Sequence, residues 1–134
     1  MKSIKMNRAE TGLFSEQQVR MLYDQDYYAE FINKLFNLEA FESQIVEKQA
    51  SFSMESRVIL RDALKTQYGK TELSDGVNGN IEALSKENTF TITTGHQLSL
   101  FTGPLYFIVK ILHVIKMCGE LKEKYPNNNF VPVY

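Results

Sequence analysis

Thr89-Phe90-Thr91-Ile92-Thr93-Thr94-Gly95-His96-Gln97-Leu98-Ser99-Leu100-Phe101-Thr102-Gly103-Pro104 is the stretch that decides the fold. Its first six residues are rich in β-branched side chains and read as a strand. The polar run bounded by Gly95 and Gly103 reads as a loop. Pro104 then opens an apolar run reaching about Tyr125, and its missing N–H suits the first position of a helix. Lys110, His113 and Lys116 form one narrow polar stripe on that helix, which is therefore expected to be buried on more than one face. Gly119 is a weak spot within it. Pro126-Asn127-Asn128-Asn129 ends the helix, and Phe130-Val131-Pro132-Val133-Tyr134 reads as a second strand. Strand, loop, helix and strand spell a βαβ unit, whose crossover should be right-handed.

A loop that feeds a helix N-terminus exposes backbone N–H groups where the helix dipole favours an anion. His96 is the first candidate for chemistry there. As a cation it would neutralise a phosphate or carboxylate, and as a neutral imidazole it would carry a proton. The plain alternative is a histidine that only caps the turn. Gly95 permits a tight turn or a close approach of backbone to ligand. Gln97 offers an amide donor and acceptor, or simply faces solvent. Thr102 and Gly103 lead into the helix, with Thr102 as N-cap and a second use as a ligand donor, and Thr94 adds a hydroxyl at the strand end. Leu98, Leu100 and Phe101 are expected to pack the loop onto the core.

Upstream, residues 1–88 read as mainly helical and residues 89–134 as the βαβ unit. Ser15-Glu16-Gln17-Gln18 has the form of a capping box. A short second helix is expected from Tyr27, with Phe31, Leu35 and Phe36 on one side. Residues 38–50 form an amphipathic candidate whose apolar face is Phe41, Ile45 and Val46. Residues 54–68 form another, packed through Val58, Leu60, Leu64 and Tyr68 and closed by Gly69. Asp75-Gly76 and Asn78-Gly79 read as turns, followed by a brief helix over 81–84. The fold class is α/β.

The chain has 134 residues, a net charge of -1 and no long blocks of one sign, which argues against a nucleic-acid partner. Its one cysteine, Cys118, excludes an intrachain disulfide and a Cys-rich metal site. It reads as a small buried hydrophobe in a reduced, cytoplasmic setting. His113 lacks metal-ligating neighbours and reads as structural, so no metal is indicated. The basic N-terminus lacks the apolar region of a signal peptide, and no run is long and apolar enough to span a membrane. No P-loop pattern occurs. Two parallel strands rarely form a sheet alone, so the chain is expected to be the N-terminal fragment of a longer protein. The alternative is a complete small domain with an edge-paired terminal strand.

The run from Thr94 to Tyr106, the apolar helix and Phe130-Val131-Pro132-Val133-Tyr134 together resemble the bacillithiol-biosynthesis cysteine-adding enzyme family. Arg57-Val58-Ile59-Leu60 and Gln67-Tyr68 match more loosely. The resemblance implies a Rossmann-like core similar to nucleotidyltransferases, here incomplete and cut at its second strand. It implies a ligase that adds cysteine to glucosaminyl-malate through an amide bond. His96 would then be catalytic, and Thr94, Gly95, Gln97, Thr102 and Gly103 would bind substrate or nucleotide. ATP or another nucleotide is a possible cofactor. Family members look dimeric through a coiled coil that this chain does not contain, and the chain alone is expected to be inactive. Two rivals remain: a non-catalytic helical interaction module, and a nucleotide-binding transferase of another type.

Overall fold

The computed structural model describes residues 4–24, 26–34, 37–101 and 103–134. The chain divides into two compact units, residues 1–41 and 42–134.

In the first unit a 3-10 turn over Arg8–Thr11 precedes helix α1 (Glu16–Tyr23). The Asn7 side chain accepts from the Ala9 N–H at the start of the turn. At α1 the expected capping box is present. The Ser15 hydroxyl accepts from the Gln18 N–H at 3.3 Å, and the Gln18 side chain accepts from the Ser15 N–H at 2.8 Å. The helix closes on an Arg20–Asp24 ion pair at 3.0 Å, and the Arg20 guanidinium also lies 3.5 Å from the centre of the Tyr27 ring. The short helix expected from Tyr27 is instead a series of turns, in which Tyr28 O accepts from the N–H groups of Phe31 and Ile32. Phe31, expected on the packed side of that helix, is exposed. Leu35 and Phe36, expected on the same side, lie outside the described residues.

The second unit contains helices α2 (Ala40–Ser51, entered from the first unit), α3 (Met54–Tyr68) and α4 (Asp75–Ala83), then β1 (Thr89–Thr93), α5 (Leu105–Lys124) and β2 (Asn129–Val133). The compositional change at residue 89 falls inside it. Of the apolar face expected on α2, Ile45 is buried and Val46 is exposed. Ser53 caps α3 by accepting from the Ser56 N–H, and Gly69 ends it at φ 53°. On α3, Leu60 and Leu64 are half-buried, whereas Val58 and Tyr68 are exposed. The buried residue of α3 is Arg57.

Asp75-Gly76 and Asn78-Gly79 lie within a continuous helix rather than in turns. Ser74 caps it, accepting from the Val77 N–H, and Asp75 places a carboxylate in the first turn. Val77, Ile81 and Leu84 recur at helical spacing, and the last two are buried. Burial of that stripe outweighs two glycines, each of which costs a helix interior about 1 kcal/mol relative to alanine. Neither glycine has a positive φ, and a methyl added at either would meet no atom within 4 Å. Gly76→Ala and Gly79→Ala should therefore each raise stability by about 0.5–1 kcal/mol. Urea denaturation checks this, and a drop in midpoint for either would refute it.

Strands β1 and β2 pair in parallel, with Thr89 opposite Asn129 and Thr93 opposite Val133. Asn129 N–H donates to Asn88 O, and Thr94 N–H donates to Val133 O. Odd residues of β2 therefore turn their backbone groups toward β1. Pro132, which has no N–H to give, faces the free edge, where the missing donor leaves this ladder intact. Helix α5 packs on both strands through Val114, Met117, Cys118 and Leu121, spaced i, i+3, i+4, i+7. Leu121 is fully buried.

The expectation that α5 is buried on more than one face does not hold. Leu105, Tyr106, Val109, Leu112 and Ile115 are exposed, because no described element covers the side turned away from the sheet. The helix begins at Leu105, with Pro104 in the cap position rather than the first turn.

Candidate functional site: the turn between β1 and α5

Residues 94–104 carry the chain from the end of β1 to the start of α5. The helix end there is open. Pro104 has no side chain able to accept a hydrogen bond, and no side-chain cap bond is made. Phe107 N–H turns back to Pro104 O at 2.8 Å. Among the described residues the Leu105 and Tyr106 N–H groups have no partner, and they lie at the positive end of the helix dipole.

His96 is half-buried against this first turn. Its ring meets Tyr106 edge-on at 6.4 Å and Phe107 at 6.1 Å, and Phe107 in turn meets Tyr134 at 5.0 Å. Its Nδ1 lies 2.9 Å from Gln97 O. A carbonyl only accepts, so Nδ1 carries the hydrogen and Nε2 is the nitrogen left to act. Among the described residues Nε2 has no partner. The turn-capping contact is therefore made by Nδ1.

Gly95 has no positive φ, so the tight-turn reason for a glycine falls away. Nothing lies within 4 Å of the methyl it lacks, which leaves room for a ligand beside the backbone. Its carbonyl accepts from Lys110 Nζ, fifteen residues on. Gln97 is exposed, and its carbonyl accepts from the Ser99 hydroxyl as well as from His96. Thr94 is half-buried and lines a cavity of about 170 Å³ with Ile111, Val114, Ile115, Pro132, Val133 and Tyr134. That cavity is apolar and offers no anion a partner. Thr102 lies outside the described residues.

Leu98, Leu100 and Phe101 do not pack the loop onto the core. All three are almost wholly exposed, and Phe101 takes φ 53°. The loop is held instead by polar and aromatic contacts at its two ends, leaving its apolar tip in solvent. A bulky residue in the left-handed region is a local strain of the kind that gathers at binding sites.

Gly103 needs to be glycine. Its φ is 62°, and a methyl there would stand 2.7 Å from Ser99 Cβ and 3.0 Å from Ser99 Oγ. Gly103→Ala should cost about 1–3 kcal/mol through overlap and backbone strain together. Adding Ser99→Gly should return the overlap part alone, which a double-mutant cycle in urea would read as a positive coupling. Full additivity of the two changes would contradict the geometry.

Lys110 is the site residue that sequence reasoning missed. The available signal was the Lys110–His113–Lys116 stripe on an otherwise apolar helix. Of the other two, His113 is exposed, and Lys116 pairs with Glu120 at 3.5 Å. Cys118 is buried, and burial pushes its thiol pKa up, so it stays a protonated hydrophobe as expected. Among the described residues no group of three His, Cys, Asp or Glu is placed to hold a metal ion. No helix among them is long and apolar enough to cross a membrane.

A strand, a turn, a helix and a second strand parallel to the first make a βαβ unit. The family model for "Bacillithiol biosynthesis BshC, N-terminal Rossmann-like domain" matches residues 1–134. The chain belongs to this family. A relative from Flavobacterium johnsoniae named "Putative cysteine ligase BshC" is 49% identical over 124 residues, covering 92% of this chain and 23% of the relative. A relative of the same name from Christiangramia forsetii is 44% identical over 125 residues, covering 93% and 23%. One from Bacillus cytotoxicus is 33% identical over 91 residues, covering 65% and 17%. The chain thus spans less than a quarter of the length of these relatives. No solved structure matches it.

Proposed function

We propose that the full-length protein is a ligase of bacillithiol synthesis that joins the carboxyl of cysteine to the amine of glucosaminyl-malate. The observation that carries this reading is His96, its Nε2 unpartnered among the described residues, seated on the open N-terminus of α5 beside Lys110. Backbone N–H groups and the Lys110 ammonium are the donors in this region, and His96 Nε2 joins them as a donor only when the ring is protonated. They suit a carboxylate or phosphate, which are the charged groups of such a reaction.

A free carboxylate is a poor electrophile, so the cysteine carboxyl must be activated. A nucleotide such as ATP would do this by giving an acyl-adenylate, with pyrophosphate leaving. The amine then attacks the acyl carbon, the C–O bond to AMP breaks, and the amine loses a proton. Within this scheme the turn steadies the negative charge that develops, and His96 Nε2 takes the proton. Thr94, Gly95, Gln97, Thr102 and Gly103 keep, in this reading, the substrate- or nucleotide-binding part that the family resemblance implies for them. The remainder of a full-length member would complete a nucleotidyltransferase-like core, cover the bare side of α5 and bring two copies together through a coiled coil. A cytoplasmic setting accords with a single reduced cysteine.

The exposed stripe on α5 also favours a second reading, an interaction module without catalysis. One experiment separates them. Full-length protein is incubated with cysteine, glucosaminyl-malate and ATP, and the amide product is sought by mass spectrometry. A deletion strain should lose bacillithiol and accumulate glucosaminyl-malate. An unchanged thiol profile together with no amide product would reject the ligase.

A further inference from the structure

We infer that Lys110 is an oxyanion-binding residue of this turn, and that its ammonium is held on the Gly95 carbonyl until a carboxylate or phosphate takes its place. The inference rests on the ligase reading only for the identity of that anion.

Lys110 stands six residues into α5, where a long side chain leans back toward the helix N-terminus. That direction brings Nζ to Gly95 O, the carbonyl next to His96, and places it 5.1 Å from the centre of the Tyr106 ring. Tyr106 is also one of the two rings against which His96 sits. Lysine, histidine and an open helix end therefore share one small region. Lys110 is half-buried and has no carboxylate partner among the described residues. Three other cations of this unit have a carboxylate: Lys65 pairs with Glu82, Arg61 with Asp62, and Lys116, on the same stripe of α5, with Glu120. Arg57 and Lys122 rest on carbonyls as Lys110 does, but Arg57 on those of Lys86 and Thr89 and Lys122 on those of Pro126 and Asn128. A half-buried ammonium that rests on one neutral carbonyl and a ring face has donors to spare and no carboxylate to answer its charge among the described residues. The N–H groups of the first turn of α5 add to that positive potential. An oxyanion entering beside Gly95, where the missing side chain leaves open space, completes the set.

Glutamine at position 110 separates charge from tethering, since its amide can still donate to Gly95 O. Malate, for a carboxylate source, and inorganic pyrophosphate, for a phosphate source, are titrated calorimetrically into full-length wild type, Lys110→Gln, Lys110→Ala and Lys110→Arg. At least one probe should bind the Gln and Ala variants about 10- to 100-fold more weakly, with Arg within about threefold of wild type. The probe that weakens names the source. Wild-type-like binding by Lys110→Gln would overturn the inference, because the lysine would then only tie the loop. So would failure of wild type to bind either probe. Amide formation by wild type is measured alongside. Its absence with lysine-dependent binding intact rejects the ligase reading alone, and its presence with binding indifferent to residue 110 rejects this inference alone.

Discussion

His96→Ala in the full-length protein should lower the rate of amide formation by about 10²- to 10⁴-fold, or about 3–5 kcal/mol of barrier. The loss follows from what the two ring nitrogens do. Nδ1 donates to Gln97 O and fixes the ring, while Nε2 has no partner among the described residues and is the nitrogen proposed to meet substrate. Alanine removes both, and it also removes the edge-on contacts to Tyr106 and Phe107, so part of the effect could come from a displaced loop. His96→Phe controls for this by keeping an aromatic ring between those partners without a titratable nitrogen. It should be as slow as His96→Ala. His96→Gln then separates the two chemical roles. A glutamine amide can donate to an anion but cannot take a proton, so recovery in that variant assigns His96 to anion holding, and none assigns it to proton transfer. Single-turnover measurement keeps substrate release out of the comparison. A rate for His96→Ala within about threefold of wild type would remove His96 from the mechanism.

The elements that flank the His96 turn, and the cap of α1, were legible in the sequence because their signals are local. Alternating threonines for β1, Pro104 and the Pro126–Asn129 run as helix boundaries, and Ser15–Gln18 as a capping box all act within a few residues of themselves. What escaped depends on distant partners. The Asn78-Gly79 pair signals a turn only if nothing rewards a helix, and burial of Ile81 and Leu84 provides that reward. Leu98, Leu100 and Phe101 look like packing residues from polarity alone, yet the loop ends are held by other contacts and the tip stays bare. Lys110 reaches a carbonyl fifteen residues away, beyond any helical or strand period. Arg57 is the sharpest case. Its position on α3 looks like one more polar site between Val58 and Leu60 on one side and Ser56 on the other, and only the fold shows that it is buried.

Arg57→Ala should destabilise the domain by about 3–5 kcal/mol. Arg57 is 3% exposed, and Nη1 donates to Thr89 O at 2.7 Å and Lys86 O at 3.1 Å. The phenyl rings of Phe52 and Phe90 lie 5.3 and 5.8 Å from its central carbon. Lys86 O has a second donor in the Thr89 N–H, so it survives the loss. Thr89 O does not have that reserve. Even residues of β1 turn their backbone toward β2, as Asn88 O and Thr94 N–H show, so Thr89 O points to the opposite edge of the strand. Arg57 is what satisfies it there, and it thereby fastens α3 to the start of the strand that carries the His96 turn. Truncation leaves a buried carbonyl unpaired and a cavity between two phenyl rings. The arginine is itself an uneasy tenant, with no carboxylate partner among the described residues and its Nε without a hydrogen bond. Arg57→Met, which fills the space and removes the buried charge, should therefore cost less than Arg57→Ala by about 1–2 kcal/mol. Urea midpoints for the two variants, taken at unchanged slope, give the comparison. Equal losses would mean that packing contributes nothing, and a loss below about 1 kcal/mol for alanine would mean that Thr89 O finds another donor.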